Sequence, residues 1–279
     1  MKTAVINGAD GDMGQQLVLF LAKSQYNIIM ACHSQNKGNA ACEKLRNLSR
    51  WEHINVMQVD LSSLTSIQQF CNTVKNQYSH IDILLNNAGV LPSHAQVSAD
   101  GYEKTVAVNY LGLFLFTELL SPLFHSGTKI VNMVSLTYKY GKINGHFFMP
   151  DPHKKYNRFS CYSNSKLGLF YATLYWAEKW KNKGITVNCA DPGIVNTNII
   201  RMDNKIIDTL CDIFFRPLIR TPKQGADTMA YVALNEISNT VTGQLFHNRK
   251  IKKIKKSILD NPQRTLLIEQ TENLLKNYL

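Results

Sequence analysis

Short runs of apolar, often β-branched residues recur along the chain, separated by longer stretches in which apolar positions return every three or four residues. A short unbroken apolar run is the pattern of a strand covered on both faces, and the three-to-four spacing is that of a helix with one buried stripe. Strands are expected at about residues 3–7, 27–32, 55–59, 81–85, 129–134, 186–190 and 243–246. Helices fill the gaps: over 64–78, Leu64, Ile67, Phe70, Cys71 and Val74 share one face, and a second long helix is expected over 163–183.

Strand and helix alternate without a break, which predicts an α/β fold with a doubly wound, mostly parallel seven-stranded sheet of Rossmann type and helices on both faces. No internal repeat, low-complexity segment or Gly/Ser/Pro linker divides the chain, so residues 1–279 are expected to form one domain. Two segments stand outside the alternation, 136–161 and 194–221, and both are candidate walls of a substrate site. The second carries Ile199, Ile200, Ile206, Ile207, Leu210, Ile213, Phe214, Phe215, Leu218 and Ile219, too apolar for an exposed loop. It reads equally as core packing or as a lid over an apolar substrate. The last stretch, 261–279, reads as an amphipathic helix with Leu266, Leu267, Leu274 and Leu275, docked on the domain or on a second subunit.

Composition narrows the function classes. With 44% hydrophobic and 18% charged residues the chain can bury a core and is not a disordered one. Its six cysteines show no CxxC pair, and His125, His146 and His153 match no ligand spacing, so no metal is expected and the thiols read as reduced packing groups. No GxSxG elbow offers a hydrolase nucleophile. The N-terminal segment passes from one lysine directly into a strand-like run without a signal-peptide pattern, so a cytoplasmic protein is expected. No apolar run reaches the ~18–20 residues that a membrane span needs, so a soluble or at most peripheral protein is expected. The net charge of +11 has one dense source, Arg249 to Lys256, which reads as a solvated connection beside the last strand or as a patch for phosphate or a membrane surface. No aromatic residues interleave with it, so nucleic acid is not an expected partner.

The first strand runs into Asn7-Gly8-Ala9-Asp10-Gly11-Asp12-Met13-Gly14 and then an apolar helix. A glycine-rich turn opening a helix suits a pyrophosphate, because glycines admit the backbone closely and the free N–H groups and dipole attract the anion. Further along come Asp60-Leu61, Asn86-Asn87-Ala88-Gly89, Asn109, Ser135, Tyr162-Ser163-Asn164-Ser165-Lys166, and Pro192-Gly193 with Thr197. In this order they resemble the motifs of the short-chain dehydrogenase/reductase family, nearly end to end. The phrases YSNSKLGLF and TPKQGADTMAYVAL ahead of VTGQLF are most similar to its retinol-dehydrogenase-like and WW-domain-oxidoreductase-like branch.

The resemblance implies an NAD(P)-dependent oxidoreductase interconverting a carbonyl and an alcohol, with a lipophilic small molecule as substrate. It implies cofactor contacts from Gly8, Asp10, Met13, Gly14, His33, Asp60, Leu61, Asn87, Ala88, Gly89, Tyr162, Lys166, Pro192, Gly193 and Thr197. It implies catalysis by Tyr162 as acid and base, Ser135 on the substrate oxygen, Lys166 beside the tyrosine and on the nicotinamide ribose, and Asn109 holding a relay water. Independently of any family, a phenol exchanges protons near neutral pH only where positive charge stabilises its anion, and Lys166 lies one helical turn from Tyr162. A homodimer through the helices of Asn109 and Tyr162 is a further implication.

Two positions depart from the family pattern. Asn7 stands in place of threonine, and Asp12 in place of the middle glycine, where its carboxylate either opposes a bound phosphate or turns to water. The first opposition would favour a second reading, a weak or inactive dinucleotide fold acting as a sensor or partner-binding module. No acid ends the second strand at Ala31-Cys32-His33-Ser34, and His33 and Lys37 are basic, so NADP(H) is expected over NAD(H).

Overall fold

A computed structural model of the protein describes residues 1–150, 153, 155–195 and 219–279. The elements follow the order β1 (Thr3–Asn7), α1 (Asp12–Lys23), β2 (Asn27–Cys32), α2 (Gln35–Ser49), β3 (Ile54–Gln58), α3 (Leu64–Gln77) and β4 (Ile81–Asn86). A helix then runs from α4 (Lys104–Val106) through a π-helical turn, Ala107–Leu111, into α5 (Gly112–Leu120). It is followed by β5 (Phe124–Met133), α6 (Arg158–Lys179), β6 (Thr186–Asp191), α7 (Pro222–Leu234), β7 (Leu245–His247), β8 (Lys250–Lys252), α8 (Lys256–Leu259) and α9 (Gln263–Leu275).

The strands form one sheet in the order β3-β2-β1-β4-β5-β6-β7-β8, parallel except for β8. Period-two alternation sorts side chains into two cores: Ala4, Ile6, Ile28 and Met30 face α1, α2 and α7, while Val5 and Ile29 face α3, α5 and α6. The strand order reverses between β1 and β4, and a crevice opens there beyond the carboxyl ends of the strands, the place where doubly wound sheets bind ligands.

The sheet has eight strands among the described residues rather than the expected seven. The added strand lies inside the basic run: Asn248 and Arg249, at φ 53° and 60°, make a two-residue turn with both central residues left-handed, and His247 pairs with Lys250 across it. The exposed lysines of β8 then sit on a sheet edge, where charge discourages pairing with another chain. Arg249 is held by Asp227, its Nε donating at 2.7 Å. Part of the cluster, Lys250–Lys252, is thus an edge strand, and the residues after it lead to the next helix.

Other boundaries move by a few residues. Strand β5 begins at Phe124, and α6 begins at Arg158, where the Asn157 side chain accepts from the Ser160 amide at 3.0 Å. Part of the segment expected to stand outside the alternation therefore belongs to the helix of Tyr162. The helix Lys104–Leu123 is long and apolar enough on average to cross a membrane, although polar residues interrupt every apolar run in it, and most of it is buried as a core helix. Helix α9 docks on the domain: Leu267 and Leu275 are buried, Tyr110 Oη and Thr271 Oγ1 lie 2.6 Å apart, and Tyr175 donates to Glu272 at 2.6 Å. Leu266 and Leu274 remain exposed.

Candidate active site and dinucleotide cleft

The turn after β1 needs glycine at two places. Gly8 has φ +63°, and a β-carbon on Gly14 would lie 2.2 Å from the Gly8 carbonyl oxygen, so only glycine lets α1 start against the turn. The Gly11 N-cap brings no side-chain hydrogen bond, and the first turn of α1 opens on a cleft of about 580 Å³. Gly8, Asp10, Met13, Gly14, His33, Asp60, Leu61, Asn87, Ala88 and Gly89 line it, ten of the residues expected to touch a cofactor. Asn87 donates to the carbonyls of Asn7 and Gly8 at 3.2 and 3.1 Å, while its side-chain oxygen is buried without a partner. A glycine cradle, an uncapped helix N-terminus and an unpaired acceptor beside them suit a dinucleotide carrying phosphates and hydroxyl donors.

Beyond the cleft stand the expected catalytic groups. Ser135 follows β5 and caps a short 3₁₀ turn, Leu136–Tyr140, accepting from the Thr137 amide at 3.3 Å. Tyr162 and Lys166 lie one turn apart on α6, and the Lys166 amine is 5.5 Å from the centre of the Tyr162 ring. Lys166 is buried and donates to the Met133 carbonyl at 2.8 Å; burial lowers it to about 8. Burial, and then the Asp191 carboxylate, push the Tyr162 phenol up to about 12, opposed by its hydrogen bond with Ser135. A β-carbon on Gly89 would lie 3.4 Å from Lys166 Nζ, which places the lysine against the cleft wall.

A family profile described as Enoyl-(Acyl carrier protein) reductase matches residues 8–248. The chain belongs to the short-chain dehydrogenase/reductase family. It is 32% identical to human Retinol dehydrogenase 13 over 260 residues, covering 90% of this chain and 77% of the relative. It is 31% identical to human Retinol dehydrogenase 14 over 276 residues, covering 93% and 82%. Its fold matches that of a short chain dehydrogenase from Burkholderia cenocepacia J2315 solved in complex with NADP, with a TM-score of 0.68, 21% identity, and 88% and 95% of the two chains covered. A short-chain dehydrogenase/reductase from Serratia marcescens BCRC 10948 gives a TM-score of 0.69 at 20% identity, with 88% and 95% covered. The protein is therefore a retinol-dehydrogenase-like short-chain dehydrogenase/reductase, an NAD(P)-dependent oxidoreductase acting on CH–OH groups and carbonyls.

In this short-chain dehydrogenase/reductase the Asn7 departure has a structural role. Its amide donates to Asn86 Oδ1 at 2.7 Å, and its side-chain oxygen accepts from the Ala88 amide at 2.8 Å. Asn86 donates in turn to Asn132 Oδ1 at 2.7 Å, and Asn132 to Thr173 Oγ1 at 2.8 Å. The register places Asn7, Asn86, Asn132 and Cys189 opposite one another across four strands. This buried polar row braces the carboxyl ends of the strands from below the cleft. Each amide is satisfied, which avoids the ~1–3 kcal/mol cost of an unpaired buried polar group.

The Asp12 departure is not resolved by turning away: Asp12 lines the cleft. Placed in the first turn of α1, its carboxylate suits the helix dipole while opposing a phosphate bound there. Asn109, in the π-helical turn, commits its side chain to the backbone of Val90, accepting at 2.8 Å and donating at 3.0 Å, and donates to Ser165 Oγ at 3.1 Å. That side chain fastens the Gly89–Val90 loop to α6. Thr197 and most of the expected 194–221 lid lie outside the described residues.

Sequence reasoning passed over Lys104, Arg220, Asp191 and His247. Lys104 opens α4, lines the cleft and donates to Ser62 at 2.6 Å beside Asp60. Burial pushes the Asp60 carboxyl up, but hydrogen bonds from Ser62, with Lys104 and His33, outweigh this and hold it below its ordinary value. Arg220 donates to the Pro192 carbonyl at 3.0 Å and packs under Gly193, whose φ is +74°. None of these had a local signal, since each acts across the fold.

Proposed function

We propose that this enzyme uses NADP(H) to interconvert a lipophilic carbonyl compound and its alcohol, with Tyr162 giving and taking the proton. The observation that carries this reading is the convergence of Ser135, Tyr162 and Lys166 beside a cleft suited to a dinucleotide. A bound NADP(H) supplies or accepts the hydride. The residues that would hold it are Gly8, Met13 and Gly14 at the pyrophosphate, Asp60 and Leu61 at the adenine, and Asn87, Lys166 and Pro192-Gly193 toward the nicotinamide. Ser135 polarises the substrate oxygen, Tyr162 exchanges its proton with that oxygen, and Lys166 stabilises the phenolate left behind.

His33, Lys37 and Lys104 line the cleft and favour a 2′-phosphate, which supports NADP(H). Support for an apolar substrate comes from Leu136, Tyr140 and Phe159, exposed on the segments that carry Ser135 and Tyr162, from Ile194, exposed just after Pro192-Gly193, and from the names of the relatives. Docking of α9 against α6 and the π-helical turn covers part of the surface through which pairing was expected and supports a monomer.

Fluorescence titration with NADPH and then NADH, followed by an aldehyde and ketone panel, tests the reading. Micromolar NADPH binding, weaker NADH binding and turnover of apolar carbonyls are expected. Absence of binding at millimolar cofactor would overturn it and favour the second reading, a non-catalytic module, which the position of Asp12 on the cleft wall alone supports.

The same titration reads the cost of Asp12. A carboxylate ~5 Å from a phosphate charge at an effective dielectric of about 20 is repelled by roughly 3 kcal/mol, which solvent at this half-buried side chain reduces. Asp12→Gly is expected to bind NADPH about tenfold more tightly, while losing about 0.5 kcal/mol of stability with the favourable dipole contact. Unchanged affinity would show that the carboxylate avoids the phosphate.

A further inference from the structure

At the carboxyl ends of β6 and β7, Asp191 and His247 stand opposite each other in register, immediately behind the catalytic groups. His247 Nδ1 donates to Asp191 Oδ2 at 2.5 Å, and the other carboxylate oxygen accepts from the Leu136 amide at 3.1 Å. Leu136 follows Ser135 directly, so the carboxylate grips the chain where the serine leaves β5. Its side chain is 2% exposed and that of His247 17%. A buried carboxylate costs several kcal/mol of lost hydration unless donors surround it, and it is kept here with an imidazole and one backbone amide.

Resting on the function proposed above, we infer that Asp191 and His247 form a positioning pair that seats Ser135 and holds a carboxylate charge behind Tyr162. Geometry supplies the first half: the pair joins β6, β7 and the Ser135 turn, and Arg220 reinforces it by bonding the Pro192 carbonyl and the Asn248 side chain, the residues that follow each member. Electrostatics supplies the second. Facing the carboxylate are Tyr138 from the turn after β5, Tyr162 from α6 and His247 from β7, with Cys189 two residues earlier on its own strand and the Lys166 amine beside the Tyr162 ring. At Tyr162 burial and then this negative charge disfavour the phenolate, opposed by the hydrogen bond with Ser135; at Tyr138 burial and Cys189 come first and the carboxylate adds to them. Tyr162 thereby keeps its proton to higher pH than lysine and serine alone would allow. Neither Asp191 nor His247 need touch substrate.

The test compares the full-length wild type with Asp191→Asn, which keeps the acceptor for Leu136 but removes the charge, and with Asp191→Glu, which restores it. Two quantities are read: the alkaline limb of kcat for carbonyl reduction, and the ¹³Cζ resonance of Tyr162 in cofactor-free protein, assigned with Tyr162→Phe. In Asp191→Asn the limb is expected to fall by about one pH unit, and the phenolate fraction at about pH 10.5 to rise roughly tenfold. Asp191→Glu is expected to return both toward wild type. His247→Leu leaves the carboxylate with one donor fewer and is expected to move both in the opposite direction, which keeps the test decisive if Asp191→Asn does not fold. An active enzyme whose limb and resonance ignore Asp191, with only the melting temperature lowered, would show the pair to be structural and overturn the inference. A wild type that neither binds NADPH nor reduces any carbonyl would instead overturn the proposed function, and with it any catalytic meaning of the pair.

Discussion

Tyr162→Phe is expected to lower kcat/KM for carbonyl reduction by about a thousandfold, within the range removed with a positioned general acid, while NADPH affinity stays within about twofold. The ring and its contact with Lys166 survive; only the transferable proton is lost. Phenylalanine also removes the hydrogen bond with Ser135, a change confined to the site. A tyrosine raised to about 12 by burial and by Asp191 is protonated at neutral pH and ready to donate. Lys166, lowered to about 8 by burial, carries its charge below that pH and loses it above. Reduction in the wild type is therefore expected to persist through neutral pH, to weaken as Lys166 loses its charge, and to end on the steeper limb where Tyr162 loses its proton. Steady-state kinetics across pH, beside a cofactor titration, checks both statements. A variant that keeps more than about a tenth of the activity would assign the proton to another group.

The second large effect concerns the cradle. Gly14→Val is expected to abolish measurable NADPH binding, a loss of at least about a hundredfold, because its β-carbon would lie 2.2 Å from the Gly8 carbonyl oxygen. The clash is with backbone on both sides, so α1 or the turn must move, and forced overpacking of this kind also costs about 1–3 kcal/mol of stability. Circular dichroism shows whether the fold persists, and fluorescence titration whether binding does. A folded variant that still bound NADPH would mean that the dinucleotide does not use this turn. Gly11 makes the useful contrast: a β-carbon there meets nothing closer than 3.4 Å, so the glycine pattern of the turn is not uniformly steric.

Much of the fold and of the site was legible because the signals are local. Parallel strands buried on both faces are mostly apolar, so β1, β2, β4, the second half of β5 and β6 read as short, largely apolar runs. The glycine turn, Asn86 to Gly89 and the Tyr162–Lys166 spacing each lie within a few residues of chain. Strand β8 was missed because its lysines deny it an apolar run and its turn, Asn248-Arg249, lacks the glycine that marks such hairpins. The span Lys104–Leu123 holds no unbroken apolar run of membrane length, because polar residues interrupt it, yet it is apolar enough on average to cross a membrane.

The sequence by itself determined the order of strands and helices along the chain, the glycine-rich turn that opens the first helix, and the pairing of Tyr162 with Lys166, since turn composition and helical spacing are properties of neighbours in the chain. Only the tertiary structure decided that Asn7, Asn86, Asn132 and Cys189 share one row, that Asp12 and Lys104 face the cleft, and that Asp191 meets both His247 and the residue after Ser135. Those contacts depend on strand order and register, which join residues tens to more than a hundred positions apart. A short polar side chain inside an apolar run carries no mark of the partner it will meet across the sheet.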